Sequence, residues 1–179
     1  GKYMANYTQE QLELKAHIDE SNEKFVARCK AEGATAWGTT VSDPEHWAEY
    51  GIFNIAQYER YSLESYIYDA YKDAHGFRPR HIDFKSMSMD ELEKMADQVS
   101  EEVAESIKQQ EQAETKAYES LKKHLKGLVD MGAKDFRQAL EWDLDAEGCT
   151  HEGFNDYGFY CYKKGIAYSK ERVISRLVA

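Results

Sequence analysis

The sequence predicts a mainly α-helical fold built around one long central helix, and three observations predict it. Apolar residues recur at steps of three or four from Leu92 to Leu128, with no helix breaker before Gly127. Helix start signals stand at Thr8 with Gln11, Asn54 with Gln57 and Ser88 with Glu91, each a capping residue followed three positions later by Gln or Glu. No run sustains the alternation of apolar and polar residues that a half-buried strand needs.

The first helix is expected from Thr8 to a stop near Gly33, with Leu12, Leu14, Ile18, Phe25, Val26 and Cys29 on a broken apolar face. Residues 34–41 read as extended or irregular. Pro44 at a first helical position then opens a short helix that ends near Gly51. The next helix runs from Asn54 to Ala74, with Gly76 just beyond it. Leu63, Ile67, Ala70 and Ala74 share one narrow side, and Tyr58, Tyr61 and Tyr68 lie away from it, so this helix has two contact faces.

Ser88 and Glu91 open the long helix, which we place at 89–126, roughly 57 Å at 1.5 Å per residue. Its seam holds only alanines and glutamines between Gln109 and Ala117, the pattern of a helical arm or hairpin paired with another helix of this chain or, as a coiled coil, of a second copy. A helix over 133–146 should turn Phe136, Ala139, Leu140 and Leu144 inward, with Trp142 at the boundary and Gly148 closing it. Cys149 to Gly153 is a turn, Asn155 is expected to cap a short helix closed by Gly165, and Ser169 a last one carrying Val173, Ile174, Leu177 and Val178. We divide the chain into N-terminal helices over 4–60 and a helical domain over 61–179, expected to form one folded unit.

Composition narrows the function classes. Of 179 residues, 42% are hydrophobic and 13% aromatic, too apolar for wholesale disorder, and two prolines and 11 glycines exclude a linker-rich chain. No stretch approaches the roughly 20 apolar residues of a membrane span, and Gly1 to Gln11 lack a basic-then-apolar signal pattern, so a soluble, unexported protein starting at Met4 is expected. Cys29, Cys149 and Cys161 are an odd number and suit reduced thiols. The formal charge of -10 opposes binding to nucleic acid over the surface as a whole.

That charge is uneven. Residues 89–114 carry nine acids against two lysines, and 115–126 four lysines against one acid. Acids first and bases last would complement the helix macrodipole. The other reading is an acidic rod, with Asp97, Glu101 and Glu105 on one face, that imitates a DNA backbone. The stretch 163–176 is locally basic, and its cations are expected to meet an acidic face of this chain or another copy, or else nucleic acid.

The densest unusual segment is His75-Gly76-Phe77-Arg78-Pro79-Arg80-His81. Arg78 and Arg80 either satisfy a helix end or form a two-guanidinium clamp for an anion or carboxylate, aimed the same way if the segment is extended. Tyr58, Tyr61 and Tyr68 either bury their rings in the fold or offer aromatic contacts to a partner. Cys149, His151 and Cys161 match no strong zinc spacing and are at most a weak metal candidate; Cys161 is most simply core. No phosphate-binding glycine loop, nucleophile elbow or metalloprotease motif appears, and no cofactor or catalytic residue is assigned.

Two stretches carry a resemblance. Tyr71-Lys72-Asp73-Ala74-His75-Gly76-Phe77-Arg78-Pro79-Arg80, followed by the capped acidic helix, resembles a group of uncharacterised small proteins encoded by tailed bacteriophages. The second agrees in order and distance: Gly132-Ala133-Lys134, Ala139-Leu140-Glu141-Trp142, Tyr157-Gly158-Phe159-Tyr160-Cys161-Tyr162 and Gly165-Ile166-Ala167-Tyr168. The likeness spans roughly residues 64–168. It departs from the group's pattern at Glu141, where the group tends to have Arg, and at Ile166-Ala167 in place of Leu-Pro. The resemblance implies an accessory protein in the cytoplasm of an infected bacterium that works by binding a host or phage protein. Arg78 and Arg80 with Phe77 would be its anchor and Tyr58, Tyr61 and Tyr68 its aromatic contacts, with self-association through the long helix and no role for nucleic acid or membrane. The alternative function is the DNA-mimicking inhibitor of a host nuclease, defence factor or polymerase.

Overall fold

The computed structural model describes residues 6–167 and 170–176. Among them it has seven α-helices and a single two-stranded hairpin, so the mainly α expectation holds. No helix among the described residues is long and apolar enough to cross a membrane. The chain groups into two compact units, 1–103 and 104–179.

In the first unit, α1 (Gln9–Ala31) starts in the full capping box of Thr8 and Gln11. Its contact is narrower than the sequence suggests. Leu14 and Ile18 are buried against Trp47 and Ile52, whereas Leu12 and Phe25 are exposed. Leu12, two residues from Leu14, is rotated roughly 200° away from it, onto the opposite side. The irregular stretch after α1 is tied back by the Asn22 amide, which donates to the Thr40 carbonyl at 2.8 Å and accepts from the Thr40 N–H at 2.9 Å. This brings Pro44 to the start of α2 (Pro44–Glu49), and the Trp47 indole donates to the Val41 carbonyl at 2.7 Å.

Helix α3 (Ile55–His75) has the two predicted faces. Ile67 and Ala70 pack on Leu92, Ala96 and Val99 of α4 (Met89–Asp130), and Ile55 and Tyr58 pack on the α1–α2 core. A connection with one 3-10 turn, Phe84–Ser86, carries the chain back along α3. Arg60 holds it there, donating to the Phe84 and Met87 carbonyls at 2.6 and 2.8 Å. Since His75 meets Glu102 near the other end, α3 and the start of α4 run side by side in the same direction.

In the second unit the rest of α4 packs on α5 (Phe136–Ala146), α6 (Tyr157–Lys164) and α7 (Glu171–Arg176), and a hairpin of β1 (Thr150–His151) with β2 (Phe154–Asn155) joins α5 to α6. Both ends of α4 are thus covered by helices of its own chain, and from Ala104 to Lys116 it buries no residue. Helix α4 does not stop at Lys126 but passes through Gly127 to Asp130. A helical Gly costs about 1 kcal/mol, which burial of Leu125 and partial burial of Leu128 and Val129 offset. Its last turn therefore holds no base, and the lysines at 116–126 lie too far from the end for the macrodipole to explain them.

Helix α5 starts at an Asp135 cap rather than at Ala133, and Phe136 is only half-buried. The Cys149–Gly153 turn belongs to a hairpin too short to show alternation. Asp156, not Asn155, caps α6, its carboxylate accepting from the Phe159 N–H at 2.9 Å, and Gly165 closes that helix at φ +67°. In α7 Ile174 is buried while Val173 is exposed; Tyr168, Ser169, Leu177 and Val178 lie outside the described residues, as do Gly1 to Met4.

Candidate binding site

The end of α3 gathers three cations around one concavity. Gly76, at φ +81°, terminates the helix with its N–H donating to the Lys72 carbonyl at 2.7 Å. The chain then bends sharply rather than extending: the Arg80 N–H donates to the Arg78 carbonyl at 2.9 Å across Pro79, a three-residue turn that proline's fixed φ favours. Pro79 is fully buried and fixes the bend in place. Arg78 and Arg80 are therefore not aimed alike by two extended steps. The turn nevertheless brings them to one concavity, which they line with Lys72 and Phe77.

The two arginines differ. Arg78 pairs with Asp69 and lays its guanidinium over the Tyr68 ring, 4.9 Å from the centroid, so it is braced from below. Arg80 and Lys72 are exposed, and among the described residues neither has a carboxylate within 4.0 Å. Phe77, 56% exposed, forms an apolar wall beside them and meets Tyr71 edge-on at 5.6 Å. Behind that wall His75 contacts Glu102 at 2.6 Å, and hydrogen bonds from Gln98 and then His75 hold the Glu102 carboxyl below its ordinary pKa. The arrangement is a cradle of two free cations, one braced cation and an apolar edge, which suits a carboxylate next to an apolar group. Lys72 was missed in the sequence because its position relative to Arg80 depends on the bend at Pro79.

The three tyrosines do not all share one surface: Tyr61 and Tyr68 line one concavity with Asp69 and Phe84, and Tyr58 does not. Tyr58 packs edge-on against Trp47 at 4.9 Å inside the fold, and Tyr61 lies at the border of the same cluster, 5.7 Å from Trp47 and 6.0 Å from Tyr50. Tyr68 is the platform under Arg78. Only Tyr61 is left as an exposed contact.

Asp97, Glu101 and Glu105 are exposed, and Glu93 continues the row one step earlier. At 100° per residue, Glu93, Asp97 and Glu101 centre roughly 130° from the side that buries Leu92, Ala96 and Val99. No cation lies within 4.0 Å of these carboxylates among the described residues, Lys94 included. Each like-charge contact four residues apart opposes the helix by about 0.2–0.5 kcal/mol. The macrodipole acts over the first turn only, so it explains Asp90 and Glu91 but not this row.

One polar centre was not foreseen. Asp143 on α5 is buried, and it accepts from the Tyr160 hydroxyl at 2.5 Å, the Lys164 ammonium at 2.9 Å and meets His124 Nε2 at 2.9 Å. Burial alone would raise its pKa, but the hydrogen bonds from Tyr160, Lys164 and His124 outweigh it and the carboxyl is held below its ordinary value. Burial and the Asp143 contact push the Tyr160 hydroxyl up. Lys163 and Lys164 also pair with Glu147, at 2.8 and 3.1 Å. Two of the five cations in 163–176 are thereby used within the unit.

Cys149 and Cys161 are buried, and burial raises both thiols, Cys161 to about 11, so neither is an activated nucleophile. His151 is exposed on the hairpin and stacks on Phe154 at 4.8 Å. Among the described residues no group of three His, Cys, Asp or Glu side chains is placed to hold a metal ion, so Cys149, His151 and Cys161 do not assemble into one.

Compared with known proteins, the chain matches no family model, no curated protein and no solved structure.

Proposed function

We propose that this chain is a bacteriophage accessory protein that binds a host or phage protein in the cytoplasm of the infected bacterium and performs no chemistry itself. The observation that carries the binding reading is the cradle at Lys72, Phe77, Arg78 and Arg80, where two exposed cations without a carboxylate partner among the described residues sit beside an exposed aromatic ring. Charged groups left unpaired beside apolar surface suit the anchor of an acidic partner face. The phage origin rests on the sequence likeness of residues 64–168.

Affinity capture from infected and uninfected bacterial lysates tests this. Arg80→Ala with Lys72→Ala, which leaves the Arg78–Asp69 brace in place, should reduce recovery of the bound protein about tenfold, the loss expected for a charge-assisted contact. The Arg78→Ala with Arg80→Ala pair should reduce it at least as far. An unchanged partner set in both variants overturns the reading.

The DNA-mimic reading is favoured by one observation, the row at Asp97, Glu101 and Glu105, which neither a cation among the described residues nor the macrodipole accounts for. It requires that lysine at these three positions abolish inhibition of a DNA-binding host enzyme while helicity is unchanged. A variant that still inhibits removes it.

A further inference from the structure

We propose that the occupant of the cradle is the acidic row of α4 from a second copy of this chain, in a two-fold pair in which each protomer gives one cradle and one row. The inference rests on the cradle being a carboxylate site, and it names the partner of that site. Both halves of the contact lie in the first unit: Lys72, Arg78 and Arg80 at the end of α3, and Glu93, Asp97 and Glu101 on the first part of α4. Arg78 is half-buried and pairs with Asp69; the other five are exposed, and none of them has an opposite charge within 4.0 Å among the described residues.

They do not neutralise each other within one unit. Asp97 and Glu101 lie roughly 150° around α4 from the side that packs on α3 and so face away from the helix that carries the cradle, while Glu93 borders a groove with Tyr58, Ser62 and Tyr66 toward the opposite end of α3. A second protomer removes that restriction. Because cradle and row are on the same unit, two copies related by a two-fold axis satisfy both contacts at once, the self-complementary arrangement that closes a dimer. The successive carboxylates in the row repel one another, and cations arriving from outside relieve that repulsion, so association and helix stability are coupled in the same direction. Phe77 beside the cradle adds apolar contact for the aliphatic stems of the row.

Light scattering on the full chain at about 100 μM, a concentration that detects pairing down to weak affinity, reads the outcome. The unaltered protein should scatter at twice 20.7 kDa in low salt and move toward 20.7 kDa as salt screens the contact. Lys72→Glu with Arg80→Glu, and separately Asp97→Lys with Glu101→Lys, should each weaken pairing more than about tenfold. An equimolar mixture of these two variants should recover the pair, because every reversed cradle then meets a reversed row. Circular dichroism checks that both variants are folded; Arg80→Gln and Asp97→Asn replace them should charge reversal unfold either chain. A monomer in low salt, a pair that survives both reversals, or a mixture that stays monomeric overturns the proposal. If the chain is monomeric while capture of another protein still depends on Arg80, the pairing fails and the carboxylate-site reading stands. If the pair forms while capture is indifferent to Arg80, the binding-protein reading fails instead.

Discussion

In the second unit Lys163 and Lys164 close onto Asp143 and Glu147, whereas in the first unit Lys72 and Arg80 stand at the surface with no carboxylate within 4.0 Å among the described residues. The two groups are built from the same residue types and differ in where the fold puts them. Asp143 lies on the buried side of α5, where a carboxylate is tolerated only if its acceptor sites are filled, and Tyr160, Lys164 and His124 fill them. Such charges hold helices α4, α5 and α6 to one another. Lys72 and Arg80 do nothing comparable within their unit, and that contrast separates charge used for folding from charge open to a partner.

The comparison breaks most readily at Asp143. Asp143→Ala leaves the buried Tyr160 hydroxyl without its acceptor and Lys164 with Glu147 alone, and should lower stability by about 3 kcal/mol in urea unfolding followed by circular dichroism. Arg80→Ala should change it by less than about 0.5 kcal/mol, as expected of a surface side chain. Equal losses would remove the distinction. The same variant should alter the acid response. Asp143 has a folded pKa below that of the unfolded chain, so its contribution is full above the unfolded value, near 3.9, and fades as pH falls through the folded value. The unaltered protein should lose stability on the acid side of about pH 4, and Asp143→Ala should lose less over the same range.

What the sequence made legible follows the same division between local and distant causes. The caps at Thr8, Asn54 and Ser88 and the stops at Gly76 and Gly165 are set by neighbours three or four residues away, and each stands where the spacing placed it. Asp143 carries no local signal in the sequence because its partners are 17 to 21 residues distant, on α4 and α6. Burial of Leu14 rather than Leu12 likewise depended on where Trp47 would lie, and the shared concavity of Arg78 and Arg80 on a bend that only the buried Pro79 reveals. Gly127 misled in the opposite sense, since packing of its neighbours on the second core overrides its weak helix propensity.

The finest test of the contrast concerns the row on α4, where exposed charge has a small cost of its own. Asp97 stands four residues from both Glu93 and Glu101. Asp97→Asn removes two like-charge contacts without changing the shape of the side chain, and Asn ranks with Asp in helix propensity. In low salt, at a concentration where the chain is monomeric, it should stabilise the protein by about 0.4–1 kcal/mol. In 1 M salt, where charges are screened beyond about 3 Å, most of that gain should vanish. A gain that persists in salt would trace to propensity or packing, and no gain at all would mean the row is already relieved by counterions. A salt-sensitive gain in the monomer, joined to weaker pairing of the same variant, would show one row of carboxylates opposing the isolated helix while holding two chains together.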